Sequence, residues 1–312
     1  MLVISALMNR GSITKRQTIS MGTNIEILVK DHDADSANKA ITGAFNEINR
    51  ISDKYSTYED DNLMAEINNS EDTLKVDGET FKLLQECRNY HEMTHGRFDP
   101  AVGKILRKMG FEGKGDKELP DPKEIRDVLE SVGWKHVHLL NNNRVFIKKG
   151  VKLSFGAIAK GYAVDRAAEI LKKHNIEKFL INAGGEIKAE GNDWMIGIQH
   201  PRKKGEILHK LVLNDVGIAT SGDYEKYVKN KKGRKFSHII DPVTGMPADE
   251  CRSVSIIAEN VIDADALATG IFVLGPEKGM KLIENIKGLE GIIVNNKGEE
   301  IKSTGFDIYI RS

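Results

Sequence analysis

Along residues 24–30, Ile25, Ile27 and Val29 fall on one face with a period of two, which predicts a β-strand. The period then lengthens. Between about 35 and 52, Ile41, Ala44, Phe45, Ile48 and Ile51 recur at helical spacing and draw one apolar stripe. A second helix is predicted over about 79–94, with Phe81, Leu84 and Cys87 turned inward. From Phe98 the pattern breaks into a loop, a short helix and a polar, glycine-rich excursion, and a helix follows that Pro122 suits at its first position. The runs HVHLL and RVFIKK flank Asn141, Asn142 and Asn143, a hairpin signal because asparagine tolerates the left-handed region, and VKLSF (151–155) predicts a further strand.

After Ser154, Val164, Ala167, Ala168 and Leu171 keep helical spacing, and Lys172, Lys173 and His174 suit the negative pole of that helix. Strands are predicted at FLIN, WMIGIQ, ILHKLVL and SVSIIAE, separated by loops at Gly184–Gly185, GIATSGDYE and HIIDPVTG. Helices over about 263–274 and 277–287 and terminal strands GIIVNN and FDIYI close the chain. Strands in neighbouring runs outnumber strand–helix alternations, which favours an α+β fold with largely antiparallel sheets over a doubly wound parallel one.

At 312 residues the chain fits two domains or one large α+β unit, with the polar segment 111–123 the candidate divide between lobes. Equal numbers of acidic and basic residues, 46 each, leave no whole-molecule field to draw it to nucleic acid or anionic lipid. Cys87 and Cys251 are 164 residues apart with no zinc-type spacing, so both read as buried thiols. The first apolar run is too short for a signal peptide or a membrane span and carries no lipid-attachment cysteine, so a cytoplasmic protein is expected, or an extracytoplasmic one if a longer leader precedes it.

Neither GxxxxGK[ST] nor a post-strand GxGxxG occurs, and GxSxG and HExxH are absent too, which sets aside the commonest nucleotide-binding and hydrolase readings. Three glycine-bounded loops remain. GAIAKG (156–161) opens a helix, where free N–H groups and Lys160 could hold a phosphate, or where a close-packed start simply carries a solvated lysine. In ADALATG (264–270), Asp265 and Thr269 share a helical face as hard oxygen ligands for Mg²⁺; the alternative is that Asp263 or Asp265 caps the helix and Thr269 bonds its own turn. The third pairs TSGDYE (220–225), where Thr220 and Asp223 suggest a capping box, with HIIDPVTG (238–245). There His238 is either a structural imidazole or a general base beside a phosphate site.

Together these pieces resemble the ApbE family of flavin transferases. The matching segments, in the family's order, are MGTNIEILV (21–29), ISDKYSTYEDDNLMAEIN (51–68), GRFDPAVGKI (96–105), GAIAKGYAVD (156–165), INAGGEIKAEG (181–191), TSGDYE, HIIDPVTGMP and ADALATGIFVLG. The resemblance implies an ApbE-like (T-fold-like) domain over 21–312 behind an N-terminal extension, 1–20. It implies an Mg²⁺-dependent enzyme that cleaves FAD, transfers FMN to a threonine hydroxyl of an acceptor flavoprotein, such as an ion-pump or reductase subunit, and releases AMP. It puts FAD contacts at Met21, Tyr58, Arg97, Phe98, Asp99, Lys160 and Ile239, the metal on Asp265, Thr269 and the carbonyls of Ala157 and Ala268, and proton removal on His238. One departure stands out: the family's helix-entry motif usually begins with an acid, and here it begins with Ser154. Two further readings use the same residues, an Mg²⁺-dependent FAD pyrophosphatase giving FMN and AMP, and a flavin-binding protein without turnover.

Overall fold

The computed structural model describes residues 3–4, 12–30, 32–112, 122–225, 227–229 and 235–311. Its centre is an eight-stranded antiparallel sheet in which each strand lies beside the next one in the chain: Ile13–Ser20, Thr23–Lys30, Phe179–Ala183, Glu186–Glu190, Val216–Gly222, Cys251–Ala258, Glu290–Asn295 and Glu300–Lys302. Residues 13–20, from the expected N-terminal extension, thus form an edge strand of the main sheet, paired residue by residue with 23–30. The long excursion between the second and third strands carries helices α1 (Ala34–Tyr55), α2 (Leu63–Asn69), α3 (Gly78–Met93), α4 (Gly103–Lys108), α5 (Pro122–Leu129) and α6 (Ala159–Lys173). Helices α7 (Val261–Leu274) and α8 (Pro276–Asn285) follow the sixth strand.

Period-two alternation sorts the strands' side chains between two cores. Ile25, Ile27, Val29, Ile181, Val254 and Ile256 meet α1, α6 and α7 on one face. Leu28, Leu180, Ile187, Ile218, Ile257 and Ile292 face a second, smaller sheet, where Trp194, Ile196 and Ile198 of Trp194–Gln199 and Leu211 and Leu213 of Ile207–Leu213 complete the packing. The result is a helix–sheet–sheet stack, α+β and antiparallel as the strand-rich pattern implies. The stripe of α1 is buried as read, and Asp33 caps that helix by accepting from the Ser36 N–H. In α3, Leu84 and Cys87 are buried, Leu83 joins them, and Phe81 is only half-buried.

Several local expectations are overturned. VKLSF forms no strand: the Asn68 side chain takes the place of a strand partner, accepting from Leu153 N at 2.6 Å and donating to Leu153 O at 2.9 Å. GIATSG is not a loop but the strand Val216–Gly222, paired on both sides, so Thr220 lies mid-strand with its hydroxyl 2.8 Å from Ser255 Oγ and makes no capping box with Asp223. The small residues that disguise this strand are what let it lie under a helix: a Cβ on Gly217 would come within 2.9 Å of Val261 N. Glu186–Glu190 is a strand the apolar pattern missed, because Glu186 and Lys188 are charged yet buried. FDIYI ends the chain as a short 3₁₀ turn, Phe306–Tyr309, with only Ile310 bridging to Leu211. The candidate divide at 111–123 falls largely on residues 113–121, outside those described.

Candidate active site

The strongest convergence lies where the N-terminus of α6 meets the side of α7. Gly161 makes it: a Cβ there would sit 2.6 Å from Val261 O and 2.8 Å from Asp265 Cβ, so only glycine lets the two helices approach this closely. The Gly161 N–H donates to Asp265 Oδ2 at 2.9 Å, and the helical ladder starts with Tyr162 N to Ile158 O, which leaves the Ala157 carbonyl outside it. Asp265 therefore caps a neighbouring helix rather than its own, whose first N–H groups, on Val261 and Ile262, are taken by Asp165 at 3.0 and 2.8 Å. One turn on from Asp265, Thr269 Oγ1 does not bond back to its own helix but lies 3.1 Å from Ser221 Oγ of the adjoining strand. Ala268 lies inside α7, where the helical ladder claims its carbonyl and only a second lone pair is on offer.

Lys160 completes the group. Its ammonium pairs with Glu186, and its side chain keeps 25% of its surface exposed, enough for a ligand to reach it. Burial works against its charge, but Glu186, Asp265 and Glu225 outweigh this and hold its pKa above that of an ordinary lysine. Burial and the negative charge of Glu186 push the Asp265 carboxyl up to about 7, against the pull of Lys160 and of the Gly161 N–H. Glu186 and Ser221 are the site residues the sequence reading missed. The signal for Glu186 was the pair of glycines before it, with φ of +74° and +122°, which turn a buried carboxylate out of the sheet at the start of α6.

Tyr58, His238 and Ser154 meet at Phe111 and Glu112. Tyr58, 60% exposed, donates to the Phe111 carbonyl at 3.2 Å, and the Phe111 ring meets His238 edge-on with centroids 6.2 Å apart. Ser154 Oγ donates to Glu112, so a carboxylate does stand at the helix entry, supplied from a different segment. Arg97 pairs with Asp241 and ties its loop to the turn that follows His238. Phe98 and Asp99 have structural partners. Phe98 is buried against Tyr90, and Asp99 accepts from Ala101 N and Trp134 N at 2.8 and 2.9 Å while burial raises its pKa. The Ile239 side chain is buried and its amide and carbonyl are engaged by Ser237 Oγ and Ala248 N, which leaves it apolar contact and a second carbonyl lone pair to offer. Met21 sits at φ +50° in the two-residue turn to Gly22, leaning on the helical core.

None of these residues lines the cavity of about 870 Å³ that opens among α1, α3, α6 and the first residues of α7. Its charges are largely paired with one another, Arg50 with Glu47 and Glu79, Arg166 with Glu47 and Glu169. The chemistry points instead to the Lys160–Asp265 junction. The oxygens there suit a hard cation such as Mg²⁺: a carboxylate, a hydroxyl, a carbonyl outside its helical ladder, and Glu186 Oε2, buried without a hydrogen-bond partner. Among the described residues no three His, Cys, Asp or Glu side chains cluster as metal ligands, so the set is necessarily a mixed one.

Comparison with known proteins identifies the family. The chain is 32% identical over 250 residues to a FAD:protein FMN transferase of Haemophilus influenzae, covering 75% of this chain and 72% of that protein. It is also 32% identical over 261 residues to one of Treponema pallidum, covering 75% and 71%. The crystal structure of an ApbE protein from Thermotoga maritima superposes with a TM-score of 0.89 at 32% identity, over 96% of this chain and all of that one. The flavin transferase ApbE from Vibrio cholerae gives a TM-score of 0.83 at 27% identity, over 96% and 99%. The model of the ApbE family matches residues 21–293, most of the chain, and the chain belongs to that family.

Proposed function

We propose that this protein transfers the FMN part of FAD to a threonine hydroxyl of an acceptor flavoprotein, with Mg²⁺ bound at the junction of α6 and α7 and AMP released. The observation that carries this reading is the meeting of Asp265 with the first turn of α6, beside the pair of partly exposed Lys160 and buried Glu186. Asp265, Thr269 and the Ala157 carbonyl would hold the cation, with Ala268 contributing at most a second lone pair. A bound Mg²⁺ there would neutralise charge on the pyrophosphate oxygens. Lys160 stabilises the negative charge that develops on the departing phosphate, because its ammonium is fixed before the reaction begins. His238 receives the threonine proton as the hydroxyl oxygen bonds to the FMN phosphorus, and the bond from that phosphorus to the bridging oxygen breaks so that AMP leaves with it. Tyr58, Arg97 and the Phe111–Glu112 segment border the path by which the flavin would enter.

The test is incubation with FAD and Mg²⁺, with and without a threonine-containing acceptor. Covalently fluorescent acceptor and stoichiometric AMP only when both are present support transfer. AMP in the absence of acceptor would make the protein a pyrophosphatase, and no AMP under either condition would leave it a flavin binder. His238→Ala is expected to slow transfer by about 10²- to 10⁴-fold while FAD still binds; equal rates for variant and parent remove His238 from the mechanism.

A further inference from the structure

We propose that Glu186 is the positioning carboxylate of this site: one oxygen holds the Lys160 ammonium at the start of α6, and the other supplies the negative charge that draws a divalent cation onto Asp265. The inference rests on the reading of the site as a cation and pyrophosphate site, and it deepens that reading by giving Glu186 a stated part in it.

Glu186 is the first residue of its strand and only 3% exposed. Gly184 and Gly185 bring it there: both have positive φ, and a Cβ on Gly184 would lie 2.3 Å from Thr23 Oγ1, so the reversal out of the preceding strand is available only to glycine. Oε1 pairs with Lys160, but Oε2 is buried and has no hydrogen-bond partner. A carboxylate kept solely to anchor a lysine would have both oxygens satisfied, since an orphaned buried oxygen costs folding free energy. Asp265 lies within electrostatic reach of the same carboxylate. Two carboxylates against one ammonium leave an excess negative charge beside the free Ala157 carbonyl and the Thr269 hydroxyl. In a buried setting water screens such an excess poorly, and it is relieved by a bound cation or, without one, by a proton on Asp265. Lys160 at the same time needs Glu186 to stay extended toward a phosphate, because no other carboxylate is paired with it among the described residues.

The test is Mn²⁺ binding, followed by electron paramagnetic resonance on the full-length protein with FAD present. Glu186→Gln is expected to weaken Mn²⁺ binding about 10- to 100-fold, the usual effect of losing a carboxylate that backs a metal ligand, and Glu186→Asp to recover part of it. The decisive comparison is in a Lys160→Met background, where no ion pair exists: Glu186→Gln should still weaken Mn²⁺ binding there, whereas a residue that acts only by anchoring Lys160 would change nothing. Equal Mn²⁺ affinity with and without Glu186 in that background overturns the inference and leaves the proposed function standing. Absence of Mn²⁺ binding by the parent protein with FAD overturns both.

Discussion

Gly161→Ala tests the helix junction on which the site depends. The Gly161 φ is not in the left-handed region, so the backbone itself would accept alanine, and helix propensity would favour it by about 1 kcal/mol. Packing decides otherwise. The new methyl would stand 2.6 Å from Val261 O, 2.8 Å from Asp265 Cβ and 2.9 Å from Ile262 Cα, and two of those three atoms are backbone that cannot rotate away. Overpacking of this kind costs about 1–3 kcal/mol, so after the propensity gain the net loss is between about 0 and 2 kcal/mol. For a chain of this size that is a fall in Tm of at most several degrees, at about 2–4 °C per kcal/mol. Activity should suffer more. To relieve the clash α7 must retreat from α6, carrying Asp265 away from Gly161 N and from Lys160, and a displacement near 1 Å at a reacting centre costs on the order of 10²-fold in rate. The assay is FMN transfer to a threonine acceptor alongside thermal unfolding. A folded Gly161→Ala protein with near-parental transfer would show that the spacing of α6 and α7 does not set the site.

Asp265→Ala should abolish Mg²⁺-dependent transfer, and a variant that keeps an unchanged metal titration would remove Asp265 as a ligand. Asp165, which caps α7, has its carboxyl pushed up to about 6 by burial, against the two N–H bonds it accepts. Its folded pKa lies above its unfolded value of 3.8, so the folded protein binds this proton more tightly and the group adds stability as pH falls from about 6 to 4. In Asp165→Asn that component of the Tm–pH curve should vanish; an identical curve would refute it. Burial holds the Cys251 thiol up to about 12 and raises that of Cys87 as well, so a thiol reagent should label neither until the protein is denatured, and prompt labelling of the native protein would contradict this burial.

Elements whose apolar residues kept one period were legible at once. The stripe of α1, the alternation of Trp194, Ile196 and Ile198, and the asparagine hairpin, where Asn142 and Asn143 do adopt φ of +61° and +55°, all stand as the pattern implies. Two of the strands that escaped have a composition that serves the site rather than the core. Val216–Gly222 is built of small residues so that α7 can rest on it, and Glu186–Glu190 starts with a buried acid beside Lys160. In both, contacts from distant segments outweigh local propensity, as is usual for strands.

By itself the sequence determined the secondary elements with a sustained period, the antiparallel α+β class, and the ordered loops that mark the ApbE family, because these depend on residues close together in the chain. Only the tertiary structure decided that Asp265 serves the first turn of another helix, that Ser154 borrows a carboxylate from Glu112, and that Glu186 reaches Lys160. Those partners are 26 to 104 residues apart in sequence. No local pattern encodes such a pairing, because it exists only once the main sheet and the helices on it have closed over the intervening chain.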